Sequence, residues 1–176
     1  MTITLVRHTS VDVPPEICYG QSDVDVSSTF EAEAKVVDAK LKNKQFDAEY
    51  SSPLIRCRKL AAYCGYPNPN TDDRLMEMNF GDWELKDWNE INDPQLQRWF
   101  DNWAEEVPTN GESFKDMIIR VESFLNELKT INHKHILIFT HAGVMRAIQV
   151  ISGELSVIKS FETKLNYGDM LEFVLK

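Results

Sequence analysis

The six residues from His135 to Thr140, HILIFT, constrain the fold of this 176-residue chain more than any other stretch. A strand with one solvated face alternates apolar and polar side chains. Four consecutive apolar residues, Ile136 to Phe139, instead suit a strand of a parallel sheet with helices on both faces. The rest of the chain fits that arrangement. Met1 to Val6 alternates and reads as a short strand ending at Arg7-His8, and Phe46 to Ser51 reads as a second. Between them Phe30, Ala34, Val37 and Leu41 recur at helical spacing, with Ser27 or Ser28 as the cap. Pro53 suits a first helical turn, so Leu54 to Cys64 is expected as a helix ended by Gly65 and the Pro67/Pro69 loop. Arg74 to Asn92 is less periodic.

Gly111 to Thr130 is the clearest helix, with Phe114, Ile118, Val121, Leu125 and Leu128 along one face and Thr109 to Glu112 as a capping box. Val144 to Ile151 reads as the helix after the apolar strand. Phe161 to Leu165 and Met170 to Leu175, joined through Tyr167-Gly168-Asp169, read as a closing pair of strands. This order predicts an α/β fold, a three-layer α/β/α sandwich with a largely parallel central sheet, in a single domain over residues 1–176.

Composition narrows the function classes. A net charge of −9 with no block of basic residues argues against nucleic acid and against an anionic membrane face. No apolar run approaches the roughly 18 residues of a transmembrane helix. The N-terminal apolar stretch meets Arg7 and His8 too soon for a signal peptide, so Met1 is the expected mature start. Cys18, Cys57 and Cys64 are odd in number and lack C-x-x-C spacing, as expected in a reducing, cytoplasmic compartment.

Ligands of open α/β sheets gather beyond the carboxyl ends of the strands. Three strands end there in Arg7-His8-Thr9, in Ser51-Ser52-Pro53-Leu54-Ile55-Arg56, and in Thr140-His141-Ala142-Gly143. Taken singly, Arg7 and Arg56 read as surface ion-pair partners and His8 or His141 as a satisfied core histidine. Together at strand ends they suit a phosphoryl group, because guanidinium forks match its oxygens and a neutral imidazole beside them can attack phosphorus. His133-x-His135 has metal-ligand spacing but precedes the strand that His141 follows, about 20 Å away, and reads as surface.

These residues carry a resemblance. Arg7-His8-Thr9, Ser51-Ser52-x-Leu54-x-Arg56, Leu75-x-Glu77-x-x-Phe80-Gly81-x-Trp83-Glu84 and Thr140-His141-Ala142-Gly143 resemble, in order, the blocks of the histidine phosphatase superfamily, which includes cofactor-dependent phosphoglycerate mutase. The runs Asp12-Val13-Pro14, Ile17 to Asp23, Glu77 to Glu84 and Gly111-Glu112-Ser113 are most similar to the α-ribazole phosphatases of cobalamin biosynthesis. The chain departs from the general pattern at Thr9, Val11, Pro14 and Leu60; Val11 lacks an expected hydroxyl, which Ser10 either replaces or does not.

The resemblance implies a phosphoglycerate mutase-like fold and a phosphomonoesterase that needs no metal or other cofactor. His8 would become a phosphohistidine, and Arg7, Arg56 and His141 would clamp the phosphoryl oxygens. Glu77 would serve as acid and then base, with Gly20 and Gln21 as further substrate contacts. The expected substrate is a small phosphoester, α-ribazole 5′-phosphate or adenosylcobalamin 5′-phosphate. A mutase or sugar-phosphate phosphatase of the same superfamily is the alternative, although the mutases it resembles carry a longer insertion around the site. A non-catalytic phosphate-binding module is the alternative from another class. Trp83, Trp88, Trp99 and Trp103 read as core packing or a lid, with stacking on a base-like substrate as the other option.

Overall fold

The computed structural model describes residues 1–175. Its strands are β1 (Thr2–Arg7), β2 (Ala48–Ser51), β3 (Asn70–Thr71), β4 (His135–Thr140) and β5 (Met170–Val174). Its helices are α1 (Phe30–Leu41), α2 (Ile55–Tyr63), α3 (Pro94–Asp101), α4 (Phe114–Leu128), α5 (Ala142–Ile151) and α6 (Val157–Glu162). The sheet runs β3-β2-β4-β1-β5, parallel except for β5, which pairs antiparallel with β1.

Strand periodicity divides the core into two layers. Ile3, Leu5, Ile136 and Ile138 point to one face and pack with Phe114, Met117 and Val121 of α4 and Val144 and Ile148 of α5. Val6, Leu137 and Phe139 point to the other, against Ala34, Val37 and Leu41 of α1 and Cys57, Leu60 and Ala61 of α2. β4 therefore has helices on both sides, which is why its sequence does not alternate. No helix is long and apolar enough to cross a membrane among the described residues.

Several expected boundaries move. Helix α1 begins after Thr29, one or two residues beyond the expected serine caps; Ser27 instead accepts the Phe30 N–H on its carbonyl. Pro53 precedes Leu54, the N-cap of α2, rather than filling the first turn. The capping box of α4 is Ser113 with Asp116, not Thr109 with Glu112. Asn110 has φ +59°, so Thr109 to Glu112 form a turn, and the Glu112 carboxylate accepts the Asn79 N–H instead.

The Pro67/Pro69 loop contributes the short edge strand β3, and α3, preceded by the Asp93 cap, is a helix where none was expected. Phe161 to Leu165 is not a strand. Ser156 caps α6 by accepting the Lys159 N–H, and the helix continues through Phe161, which packs on Trp103 at 3.8 Å between ring centroids. A short apolar run fits either period, and here the cap and the aromatic contact select the helix.

Candidate active site

β1, β2 and β4 end level with one another. Arg7 pairs with Thr140 and Ser51 with Phe139, so His8, Ser52 and His141 emerge side by side at the carboxyl edge of the sheet. The rings of His8 and His141 meet edge to face with centroids 5.1 Å apart. His8 is only 2% exposed. Its Nδ1 lies 2.7 Å from the Thr9 carbonyl, and because a carbonyl can only accept, Nδ1 carries the proton. In the neutral ring the lone pair then sits on Nε2. Below it, His141 is fully buried with Nε2 2.8 Å from the Ser52 hydroxyl and the Cys57 thiol 3.5 Å from the same nitrogen.

The two arginines reach this floor from different elements. Arg7, the last residue of β1, donates to the Leu165 carbonyl at 2.6 Å and lies over the Tyr167 ring, 4.0 Å from its centroid. Arg56, the second residue of α2, is 0% exposed and donates to the carbonyls of Gly20 at 2.5 Å and Ser22 at 3.0 Å. A guanidinium has five N–H donors, so most remain unassigned in both, and both Nε–H groups are buried without a partner. Unsatisfied donors concentrated beside two imidazoles are the requirements of an anion, even in a protein of net charge −9.

Burial, and then the guanidinium of Arg56 followed by that of Arg7, hold the His8 imidazole well below its usual pKa. His141 is lowered in the same direction, by burial first, then by Arg56 and His8. Both rings are thus neutral at pH 7. The unfolded chain has imidazoles near pKa ~6.5, so below that value it binds protons that the folded state refuses. Stability from these two groups is complete above pH ~6.5 and is lost as pH falls from there through the lowered folded-state values. The urea midpoint is expected to hold between pH 8 and 7 and to drop by pH 5.5, with a smaller drop in His8→Gln; equal drops would contradict the neutral buried His8.

Glu77 enters from the segment between two 3-10 turns, Asp73–Leu75 and Gly81–Trp83. Its carboxylate accepts the N–H of Met78 at 3.0 Å and of Gly143 at 3.2 Å. A Cβ at Gly143 would stand 2.0 Å from Glu77 Oε1, so a larger residue there would push the Glu77 carboxylate from its present place. The Glu77 carbonyl is held from behind by Arg120, which also donates to the Arg74 carbonyl and pairs with Glu112 at 2.7 Å.

Arg7, His8 and Glu77 line one cavity of about 300 Å³ with Tyr19, Ala142, Gly143 and Arg146. Aromatic side chains complete its wall: Phe80, Trp88, Trp99, Trp103, Phe114 and Phe161. Trp83 is not among them; it is fully buried, donating to Asp93 at 2.7 Å. Arg56 and His141 lie beneath the floor rather than on the wall.

Gly20 and Gln21 do not line it either. A Cβ at Gly20 would stand 1.8 Å from the Met78 carbonyl, and the Gln21 side chain donates to the Glu77 carbonyl at 3.1 Å. Glu84 fastens this loop by accepting the N–H groups of Gln21 and Ser22 and the Ser22 hydroxyl. These residues therefore build the seat of Arg56 and Glu77. Ser10 is turned away, its hydroxyl held by Glu33 and Ser27, so it does not replace the hydroxyl absent at Val11. His133 is half-buried just before β4, and His135 is bound to Thr4 at the opposite end of β4 from the site.

Sequence reading missed Arg146, Tyr19 and Tyr167. Ala142, Gly143 and Arg146 recur at helical spacing, which places Arg146 on the cavity face once α5 starts at Ala142 instead of Val144.

The sequence pattern of the Histidine phosphatase superfamily (branch 1) matches residues 3–168. An adenosylcobalamin/alpha-ribazole phosphatase of Salmonella typhimurium is 30% identical over 153 residues, covering 82% of this chain and 76% of that protein. The alpha-ribazole phosphatase structure from Shigella flexneri superposes with a TM-score of 0.88 at 23% identity, over 98% of this chain and 89% of the other. A phosphoglycerate mutase structure from Thermus thermophilus gives 0.77 at 26% identity, over 98% and 92%.

Proposed function

Because this chain belongs to the histidine phosphatase superfamily, we propose that it is a phosphomonoesterase that releases phosphate from α-ribazole 5′-phosphate, or the equivalent cobalamin 5′-phosphate, through His8. One observation carries the reading: a neutral, buried His8 with Nε2 free lines an aromatic-walled cavity together with Arg7, whose Nε–H is buried without a partner.

In the first step Nε2 bonds to phosphorus, the ester P–O bond breaks, and the Glu77 carboxyl gives its proton to the leaving alkoxide. In the second, water attacks phosphorus and passes a proton to Glu77, and the P–N bond breaks. Arg7 and Arg56 hold the charge that gathers on the phosphoryl oxygens, and His141 supports that floor. The substrate's benzimidazole fits the wall of Trp88, Trp99, Trp103 and Phe161, where flat apolar surface is available for stacking. A small polar leaving group, such as glycerate or a sugar, would leave that wall unused.

The partner is thus a small phosphoester rather than a nucleic acid, and three buried free thiols suit a reducing cytoplasm. The test is kcat/KM on a panel of α-ribazole 5′-phosphate, 3-phosphoglycerate and glucose 6-phosphate. The aromatic substrate is expected to lead by about tenfold or more, the value of one well-packed aromatic contact with its area burial. Preference for 3-phosphoglycerate or glucose 6-phosphate would overturn the substrate assignment.

A further inference from the structure

Two tyrosines that the mechanism above does not use meet beside the arginines. Tyr19 lies on the loop after β1 and Tyr167 in the turn before β5, and their hydroxyls are 2.9 Å apart. The Tyr167 ring carries the Arg7 guanidinium at 4.0 Å and stands 5.6 Å from the His8 ring; the Tyr19 ring lies 5.5 Å from Arg56 Cζ. The Tyr167 turn is fastened to the end of β1, since the Arg7 N–H donates to the Asp169 carbonyl at 2.9 Å and the Gly168 N–H to the His8 carbonyl at 3.2 Å.

A hydrogen bond between two hydroxyls uses one of their two protons. Among the described residues neither hydroxyl has another partner, so one proton is unassigned. Tyr19 also supplies the only hydroxyl among the described residues that line the cavity. Burial, then the bond to Tyr167, push the Tyr19 hydroxyl upward in pKa, so it keeps its proton at neutral pH.

We propose that the Tyr19–Tyr167 pair is a further part of the phosphoryl-binding site. Its unassigned hydroxyl proton donates to a phosphoryl oxygen, and the two rings hold Arg7 and Arg56 towards His8. With one protein hydrogen bond, the Arg7 guanidinium retains freedom to turn, and the Tyr167 ring face beside it restricts that freedom, while the Tyr19 ring backs an Arg56 already held by two carbonyls. The identity of the bound group rests on the phosphatase reading.

The test separates hydroxyl from ring. Binding of inorganic phosphate is measured by calorimetry, which needs no turnover, and kcat and KM are measured on an aryl phosphate. The double variant Tyr19→Phe/Tyr167→Phe removes both protons but keeps both rings, and is expected to bind phosphate about 5- to 10-fold more weakly. Tyr167→Leu removes the ring under Arg7 as well as the hydroxyl and is expected to lower kcat by about tenfold, a larger loss than in Tyr167→Phe, which keeps the ring. Wild-type phosphate affinity in the double variant, equal kcat in Tyr167→Leu and Tyr167→Phe, or a wild type that binds no phosphate would each overturn the proposal. A wild type that binds phosphate but hydrolyses no ester overturns the phosphatase reading instead, and the binding comparison still decides the role of the tyrosines.

Discussion

His8→Ala is expected to reduce kcat/KM for any phosphoester by at least about 10⁴-fold, because it removes the atom that bonds to phosphorus and leaves only the preorganised cations. The stability cost should be small by comparison. The substitution removes one hydrogen bond, from Nδ1 to the carbonyl of the fully buried Thr9, at a cost of about 1–3 kcal/mol. Loss of activity with an intact fold is therefore the expected result. In rapid-quench experiments with labelled substrate, wild type should yield an acid-labile phosphoryl group on the protein and His8→Ala none. Residual activity above about 1% would exclude His8 as the nucleophile.

Arg56→Lys is expected to combine two losses. In function it removes a guanidinium whose Nε–H is buried without a protein partner, and losing one preorganised donor typically reduces kcat by about 10²- to 10³-fold. In stability it disturbs the seat of the loop, since one ammonium cannot reproduce the bonds to both Gly20 and Ser22. A buried carbonyl left unpaired costs about 1–3 kcal/mol. Steady-state kinetics beside urea unfolding distinguish the two. Lowered stability with near-normal kcat/KM would make Arg56 a loop anchor and nothing more.

Legibility followed the distance over which a signal acts. β4 and α4 were readable because their patterns are local: four buried residues in a row on β4, and an apolar stripe on α4. His8, Arg56, His141 and Glu77 stand out as candidates because three strand ends and one motif block mark them. The carboxyl edge of a parallel sheet is a predictable location. Phe161 was misread because a short apolar run carries no decisive period, and its helical state depends on Ser156 and Trp103. Gly20 and Gln21 sit in the expected motif, yet their groups face Arg56, Glu77 and Glu84, and no spacing rule distinguishes a residue that touches a ligand from one that supports its neighbour.

The sequence by itself determined the alternation of strands and helices, the parallel sheet and the residues at its carboxyl edge, since each follows from local periodicity and from connection rules. Only the tertiary structure decided which nitrogen of His8 is free, which carbonyls hold Arg56, and that Tyr19 meets Tyr167 across 148 residues. Those outcomes depend on which buried polar groups find partners at hydrogen-bond distance. That is set by the packing of elements far apart in the chain, where no periodicity reaches.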